Sequence, residues 1–221
     1  RDRSPSRGLG DVYKRQLLDG DVQGKLQGMS KQLKQVSIDT GAATSDLTDG
    51  LYQVVSAFGE SAESVKQLEI AAKAAKAGNA TTTDSVNMLS AVTKGYGDTS
   101  AAALQKASDL AFLTVKLGQT SFPELASSMG QVVPLAATMK VSQEELFGAM
   151  ATLTGVTGGT AEVTTQLRAT MQEFLSPSSQ MEKALKKMGY TSGAAALESE
   201  GLGGILTKLK ESVKGDEVAF A

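Results

Sequence analysis

Apolar residues recur along this chain at intervals of three or four residues, which is the spacing of one face of an α-helix. One such face is formed by Leu125, Met129, Val132 and Ala136. The pattern repeats through most of the sequence and predicts an all-α protein. Three further faces with the same spacing are Leu104, Ala107, Ala111 and Val115; Leu146, Met150 and Leu153; and Val163, Leu167, Met171 and Phe174.

The segment that contains Leu104 carries a second apolar face, made of Leu110, Leu113 and Leu117. A helix that is apolar on two sides is usually covered on both. We therefore expect this helix to be buried on two sides.

Serine–glutamate pairs mark the starts of two predicted helices. Ser121 precedes Glu124, and Ser142 precedes Glu145, each by three residues. This is the pattern of a capping box, in which the serine oxygen accepts the glutamate N–H and the glutamate carboxylate accepts the serine N–H. We expect both boxes to form.

Glycine and proline mark the helix ends. Gly78, Gly118 and Gly189 stand where a helix needs a left-handed residue to stop. Pro134 falls late in its helix, where we expect it to kink or end the helix, with Gly130 easing the steric clash of the ring.

Three consecutive segments share this arrangement: Thr44–Gly78, Thr82–Gly118 and Thr120–Gly155. Each reads as a helix, a short turn, a second helix and a stop. A period near 40 residues is typical of stacked helical hairpins. We therefore predict repeated hairpins of about 39 residues, arranged as a solenoid or as an irregular helical bundle. The first apolar residues of the three segments are 39 residues apart: Leu47, Val86 and Leu125.

The same pattern suggests four regions. Residues 44–189 form the hairpin core, and residues 17–43 form a helical lead-in. Residues 190–221 begin a further helical unit, and we expect the parent chain to continue beyond both ends. Residues 1–16 differ in composition from all of these.

The stretch DVYKRQ, residues 11–16, resembles the translated end of a transposase-based sequencing adapter. We expect residues 1–16 to be an artefact and exclude them from fold reasoning. The alternative is a natural basic arm that contacts nucleic acid or membrane. Residues 1–16 hold five basic and two acidic residues, so the rest of the chain has 17 basic and 22 acidic residues and a net charge of −5. That balance does not favour sequence-specific binding of nucleic acid.

The composition limits the kinds of functional site that the chain can form. The chain has no Cys and no His, which removes the thiol nucleophile, the commonest metal ligand and the usual acid–base group near neutral pH. The longest uncharged stretches, Leu125–Met139 and Leu146–Ala161, are shorter than the roughly 20 apolar residues that cross a bilayer. We predict no catalytic residue, no cofactor and no metal site. With 41% hydrophobic but only 5% aromatic residues, the core should bring helices close together.

The acidic pairs favour structural roles. Glu144 and Glu145 fit a capped helix start, where negative charge meets the positive end of the helix dipole. Lys73–Asn79 lacks the glycine pattern of a phosphate loop. We interpret the other acidic pairs as turns or caps: Asp19 and Asp21, Asp46 and Asp49, and Glu198 and Glu200. The methionines fit core positions: Met88, Met129, Met139, Met150, Met171, Met181 and Met188.

Two stretches, GQTSFPELASSMGQVVPLAA (Gly118–Ala137) and VSQEELFGAMATLT (Val141–Thr154), resemble the core of phage tail tape measure proteins. The resemblance extends from about Met29 to the C-terminus. It implies a long, mostly helical, non-enzymatic protein in the lumen of a virion tail, made in the bacterial host cytoplasm and compatible with a prophage origin.

The resemblance also implies a role. Such proteins set tail length during assembly and are ejected before the genome to aid its delivery. Their implied partners are the tail tube protein, tail assembly chaperones, baseplate components and further copies of the chain, with membrane contact only during ejection. The alternative is a free-standing α-helical repeat scaffold that binds a protein partner on its concave face.

Overall fold

The structure is a computed structural model that describes residues 22–212 of the 221-residue chain, with side chains from residue 30 onward. Over this range the chain forms ten α-helices and no strand, which confirms the all-α prediction. The predictions for residues 1–16, and for Asp19 and Asp21, lie outside the described residues. The helices are α1 Val22–Thr40, α2 Thr44–Phe58, α3 Ser64–Gly78, α4 Thr82–Gly95, α5 Ala101–Leu117, α6 Phe122–Thr138, α7 Gln143–Thr157, α8 Thr160–Leu175, α9 Ser179–Lys187 and α10 Gly193–Ser212.

The helices belong to two compact units. Unit 1 contains the described residues up to 94 together with residues 98–108; unit 2 contains residues 95–97 and the described residues from 109 onward. In unit 1, α1, α2 and α3 pack on one another. In unit 2, α6 packs most extensively on α8, and α10 packs on α7, α8 and α9.

In unit 1, hydrogen bonds connect the starts of helices that are one predicted repeat apart. The Thr82 hydroxyl, at the start of α4, donates to Asp46 Oδ2 in the first turn of α2 at 2.5 Å. Glu63, which precedes α3, accepts the Ala101 N–H at the start of α5 at 3.0 Å. The two contacts place α2 beside α4 and α3 beside α5 at their N-terminal ends.

Unit 2 has an equivalent contact. The hydroxyls of Thr120 and Thr160, just before α6 and at the start of α8, lie 2.7 Å apart. Helices α2, α4, α6 and α8 begin 38, 40 and 38 residues apart. These contacts support a repeat, although its 39-residue length stays a prediction.

The glycine stops follow the prediction at only one of three positions. Gly189 has a φ of 88°, as expected for a left-handed stop. Gly78 remains helical, and the left-handed residue is Asn79. Gly118 has no positive φ; instead, a Cβ there would overlap Thr154 Oγ1 and lie 2.8 Å from the Ala151 carbonyl oxygen. Gly118 is therefore required by the close approach of α7 rather than by a turn.

Pro134 does not end its helix. α6 runs through this residue to Thr138, and Pro134 is exposed to solvent. Two residues beyond the helix end, Lys140 has a φ of 58°, and the Val141 N–H donates back to the Ala136 carbonyl at 3.0 Å. This hydrogen bond is the outer one of a Schellman motif.

Two glycine substitutions test the close contact at Gly118. Gly118→Ala should lower the free energy of unfolding by about 1–3 kcal/mol, because the new methyl group overpacks the contact with α7. Gly130→Ala, in open space on α6, should raise it by roughly 0.5–1 kcal/mol through helix propensity. Urea denaturation measures both, and equal effects would contradict the assignment.

Candidate interaction surfaces

The core consists mainly of aliphatic, methionine and small side chains, together with Phe122, Phe147 and Phe174. The predicted core role of the methionines is confirmed for Met88, Met129, Met150 and Met171, which are 0–1% exposed, and for Met139 at 6%. Met181 and Met188, on and just after α9, are half-buried. No methionine-rich binding surface forms among these residues.

The predicted second apolar face of α5 is not buried. Leu113 and Leu117 are 48% and 65% exposed, and Leu110 is half-buried. The expectation was wrong because the described part of unit 2 covers only the other side of this helix segment.

Val156, at the end of α7, is also exposed, at 81%. Its neighbour Gly155 lies beside the Leu117 carbonyl, 3.8 Å from the position that a Cβ would take. We call Leu113, Leu117 and Val156 the α5–α7 patch. Grouped apolar side chains in water are typical of protein contact surfaces.

Substitutions on α5 distinguish this patch from the core. Leu117→Ser should change the free energy of unfolding by less than about 0.5 kcal/mol, because the side chain is mostly solvated. Leu104→Ala, on the same helix at 1% exposure, should cost about 2–5 kcal/mol. Urea denaturation of the full chain compares them, and a large loss for Leu117→Ser would show that the patch is covered.

The two predicted Ser–Glu capping pairs form different hydrogen bonds. Ser121 and Glu124 form the predicted capping box, with both reciprocal hydrogen bonds. In the second pair, Ser142 Oγ accepts the Glu145 N–H at 3.2 Å, but the Glu145 carboxylate accepts the Leu202 N–H of α10 at 2.6 Å. The prediction of a complete second box is therefore wrong, because a residue 57 positions away takes the carboxylate.

Tyr96 lies close enough to Glu144 and Glu145 to interact with their negative charges. Its hydroxyl is buried and has no hydrogen-bond partner among the described residues. Burial raises the pKa of this phenol, and the negative charges of Glu144 and Glu145 raise it further. Tyr96 is therefore neutral near neutral pH, and its geometry offers no acid–base partner.

A polar cluster braces α10. The Tyr190 hydroxyl donates to Glu200 Oε1 at 2.6 Å, and Lys208 Nζ donates to the same oxygen at 2.7 Å. Hydrogen bonds from Lys208 and then Tyr190 hold the pKa of Glu200 below its ordinary value, and the Glu200 contact raises the pKa of Lys208. Glu198 forms an exposed ion pair with Lys140, at 3.2 Å, which contributes little to stability.

The Glu200 cluster should make the free energy of unfolding depend on pH in the acidic range. Because the folded-state pKa of Glu200 is lowered, its contribution is present above its ordinary pKa of 4.5 and is lost as the pH falls through the folded value. Glu200→Gln should reduce the slope of unfolding free energy against pH below 4.5. Urea denaturation between pH 3 and 7 (roughly, to span that pKa) measures the slope, with Glu198→Gln as an exposed control. Identical slopes in the two variants would contradict the expectation.

The other candidate sites among the described residues do not bring reactive side chains together. Lys73–Asn79 lies at the C-terminal end of α3, where the helix dipole repels a phosphate. A cleft of about 340 Å³ lies between the end of α8, α9 and the start of α10, with Phe174 and Leu185 on its walls. Its charged residues Glu182 and Lys186 are exposed and 4.0 Å apart.

Within residues 30–212, no cluster of acidic side chains has the geometry to hold a metal ion. None of the helices over that range combines the length and the apolar character needed to cross a bilayer.

Comparison with known proteins identifies the family of the chain. A family model described as phage-related minor tail protein matches residues 30–219. Searches of curated proteins and of solved structures found no match. Since the matched segment includes nearly all the described helices, the chain belongs to the phage-related minor tail protein family.

Proposed function

We propose that this chain is a segment of a tail tape measure protein, with a structural and non-catalytic role in the virion tail. Membership of a minor tail protein family supports a structural tail role. The observation that carries the finer proposal is the succession of helices whose starts are joined one repeat apart: Asp46 with Thr82, Glu63 with Ala101, and Thr120 with Thr160.

Such contacts let the number of repeats set a physical length. In a repeat protein each unit mainly contacts its neighbours, so adding or removing a unit changes the extent of the whole. Where the parent chain is extended as helix, each residue corresponds to about 1.5 Å. The chain would thus act through its length while tube subunits assemble around it.

The proposed location is the tail lumen, after synthesis in the host cytoplasm. The proposed partners are the tail tube protein, tail assembly chaperones, baseplate components and further copies of the chain. Ejection before the genome, with membrane contact only at that stage, completes the proposal. The acidic side chains with the best geometry, Glu145 and Glu200, are occupied in holding helices, which favours structure over catalysis.

A length change in the parent gene tests this function. Removing residues 82–121, which hold helices α4 and α5, should shorten phage tails by up to roughly 60 Å at 1.5 Å per residue. Duplicating the same residues should lengthen tails by a similar amount. Negative-stain electron microscopy of purified particles measures tail length.

The duplication is the matched control, since it keeps every helix and changes only their number. Tails of normal length with both variants would reject the ruler function while leaving a structural tail role intact. Absence of the protein from purified tails would instead favour a free-standing helical scaffold that uses the α5–α7 patch to bind a partner.

A further inference from the structure

The solvent-facing side of α5 carries an ordered set of apolar and charged residues. Leu113 and Leu117 are 48% and 65% exposed, and Leu110 beside them is half-buried. Asp109 and Lys116 are exposed on the same side of the helix. At 3.6 residues per turn, all five positions lie within about 60° of the direction of Leu113. They form a short seam within unit 2, which we call the α5 seam.

Leu113 is the centre of the α5 seam. Leu110 and Leu117 lie on one flank of the seam, about 4.5 Å before and 6 Å after Leu113 along the helix axis. Asp109 and Lys116 lie on the opposite flank, about 6 Å before and 4.5 Å after Leu113. The seam therefore has an apolar flank and a charged flank, and on the charged flank the acid precedes the base.

This order is self-complementary in an antiparallel pair of α5 helices. A two-fold axis that lies in the plane of contact beside Leu113, at right angles to the helix, reverses the direction along the helix and keeps each flank opposite itself. Leu113 then meets its own copy, and Leu117 meets Leu110 of the second copy. On the charged flank, Lys116 meets Asp109 of the second copy. The two-fold axis produces each of these last two contacts twice.

A parallel pair of α5 helices does not fit this pattern. Its two-fold axis runs along the helices, so it places the apolar flank of one copy opposite the charged flank of the other. Asp109 would then face Leu110 of the second copy, and Lys116 would face Leu117. Charged side chains set against leucine lose hydration without gaining a partner. The order of the residues therefore favours the antiparallel direction.

The antiparallel pair carries only a small cost in desolvation. Asp109 and Lys116 lie at the rim of the contact, where ion pairs stay partly hydrated. Asp109 also has an interaction within its own chain, and the pairing requires only its charge and its exposure. Helix α7 lies beside Leu117 and adds no repulsion between copies, because its exposed residues from position 148 onward are uncharged: Gly148, Thr152, Gly155, Val156 and Thr157.

We propose that the α5 seam is a contact between two copies of this chain, related by a two-fold axis with their α5 helices antiparallel. Three leucines from each copy make a small interface, so the association is weak and reversible. The proposal assigns an interaction surface and a second copy of the chain as its partner. It does not depend on the tape measure role, because a chain with another function in the tail would pair in the same way.

Charge reversal tests the direction of the pair. Sedimentation equilibrium of the full chain, over about a hundredfold range of concentration, should show a monomer–dimer equilibrium. Asp109→Lys should weaken dimerisation about fivefold, because two opposite-charge contacts become like-charge contacts. Lys116→Asp should weaken it by a similar factor. The double variant should recover the affinity of the parent chain, because each reversed residue again meets its opposite charge.

Disulfide cross-linking locates the two-fold axis. The full chain has no Cys, so Leu113→Cys introduces a single thiol at the position that meets its own copy. Oxidation with copper phenanthroline should convert this variant to a covalent dimer, because a disulfide forms only between residues whose Cα atoms approach within about 7 Å. Leu175→Cys is the matched control, since Leu175 is 43% exposed in the same unit and lies outside the seam. It should form about tenfold less covalent dimer in the same time.

Both cysteine variants change exposed residues, so their far-ultraviolet circular dichroism should match that of the parent chain. If Leu113→Cys does not fold, the charge series decides the matter. A monomer at every concentration would overturn the proposal and would leave the seam to a different protein. The proposal would also fail if the double charge variant stayed as weak as the single variants, or if Leu113→Cys formed no more covalent dimer than Leu175→Cys.

Discussion

Close approach of helix backbones is the constraint on which the rest of this structure depends. At Gly118 a methyl group would overlap α7, and at Gly193 it would overlap the Phe174 carbonyl at the end of α8. Helices this close leave little room for large side chains between them. Most of the core is accordingly Ala, Met, Leu and Val, in a chain with only 5% aromatic residues, while Phe122, Phe147 and Phe174 are its largest fully buried side chains. Small-residue positions are therefore as important as apolar ones.

The close packing of the helices also determines which hydrogen bonds the buried hydroxyls form. A buried polar group must find a partner or lose the free energy of its hydration. Thr154 donates to the Met150 carbonyl one turn back at 2.7 Å, and Thr114 donates both to Leu110 and, across to α7, to Phe147. At the helix starts, Asp46 and Glu63 provide acceptors for the helix one repeat later. Polar side chains thus keep neighbouring helices in register.

A protein built this way works through shape and contact. Its well-placed carboxylates stabilise helix ends, and three of its exposed apolar residues form the α5–α7 patch. Both features suit a member of a phage tail family, in which helices stack and meet other components. At Gly201, with a φ of 70° and a ψ of 175°, the last described helix bends, so that Glu145 accepts the Leu202 N–H.

The sequence by itself determined what depends on neighbours a few positions away. Apolar spacing of three and four predicted the helices, and the capping box of Ser121 and Glu124 formed as expected because both partners lie in one turn. Only the tertiary structure decided that Glu145 turns to Leu202, that Gly118 serves a close contact, and that Leu117 is exposed. Each of these outcomes depends on which helix lies opposite, and local periodicity carries no information about that partner.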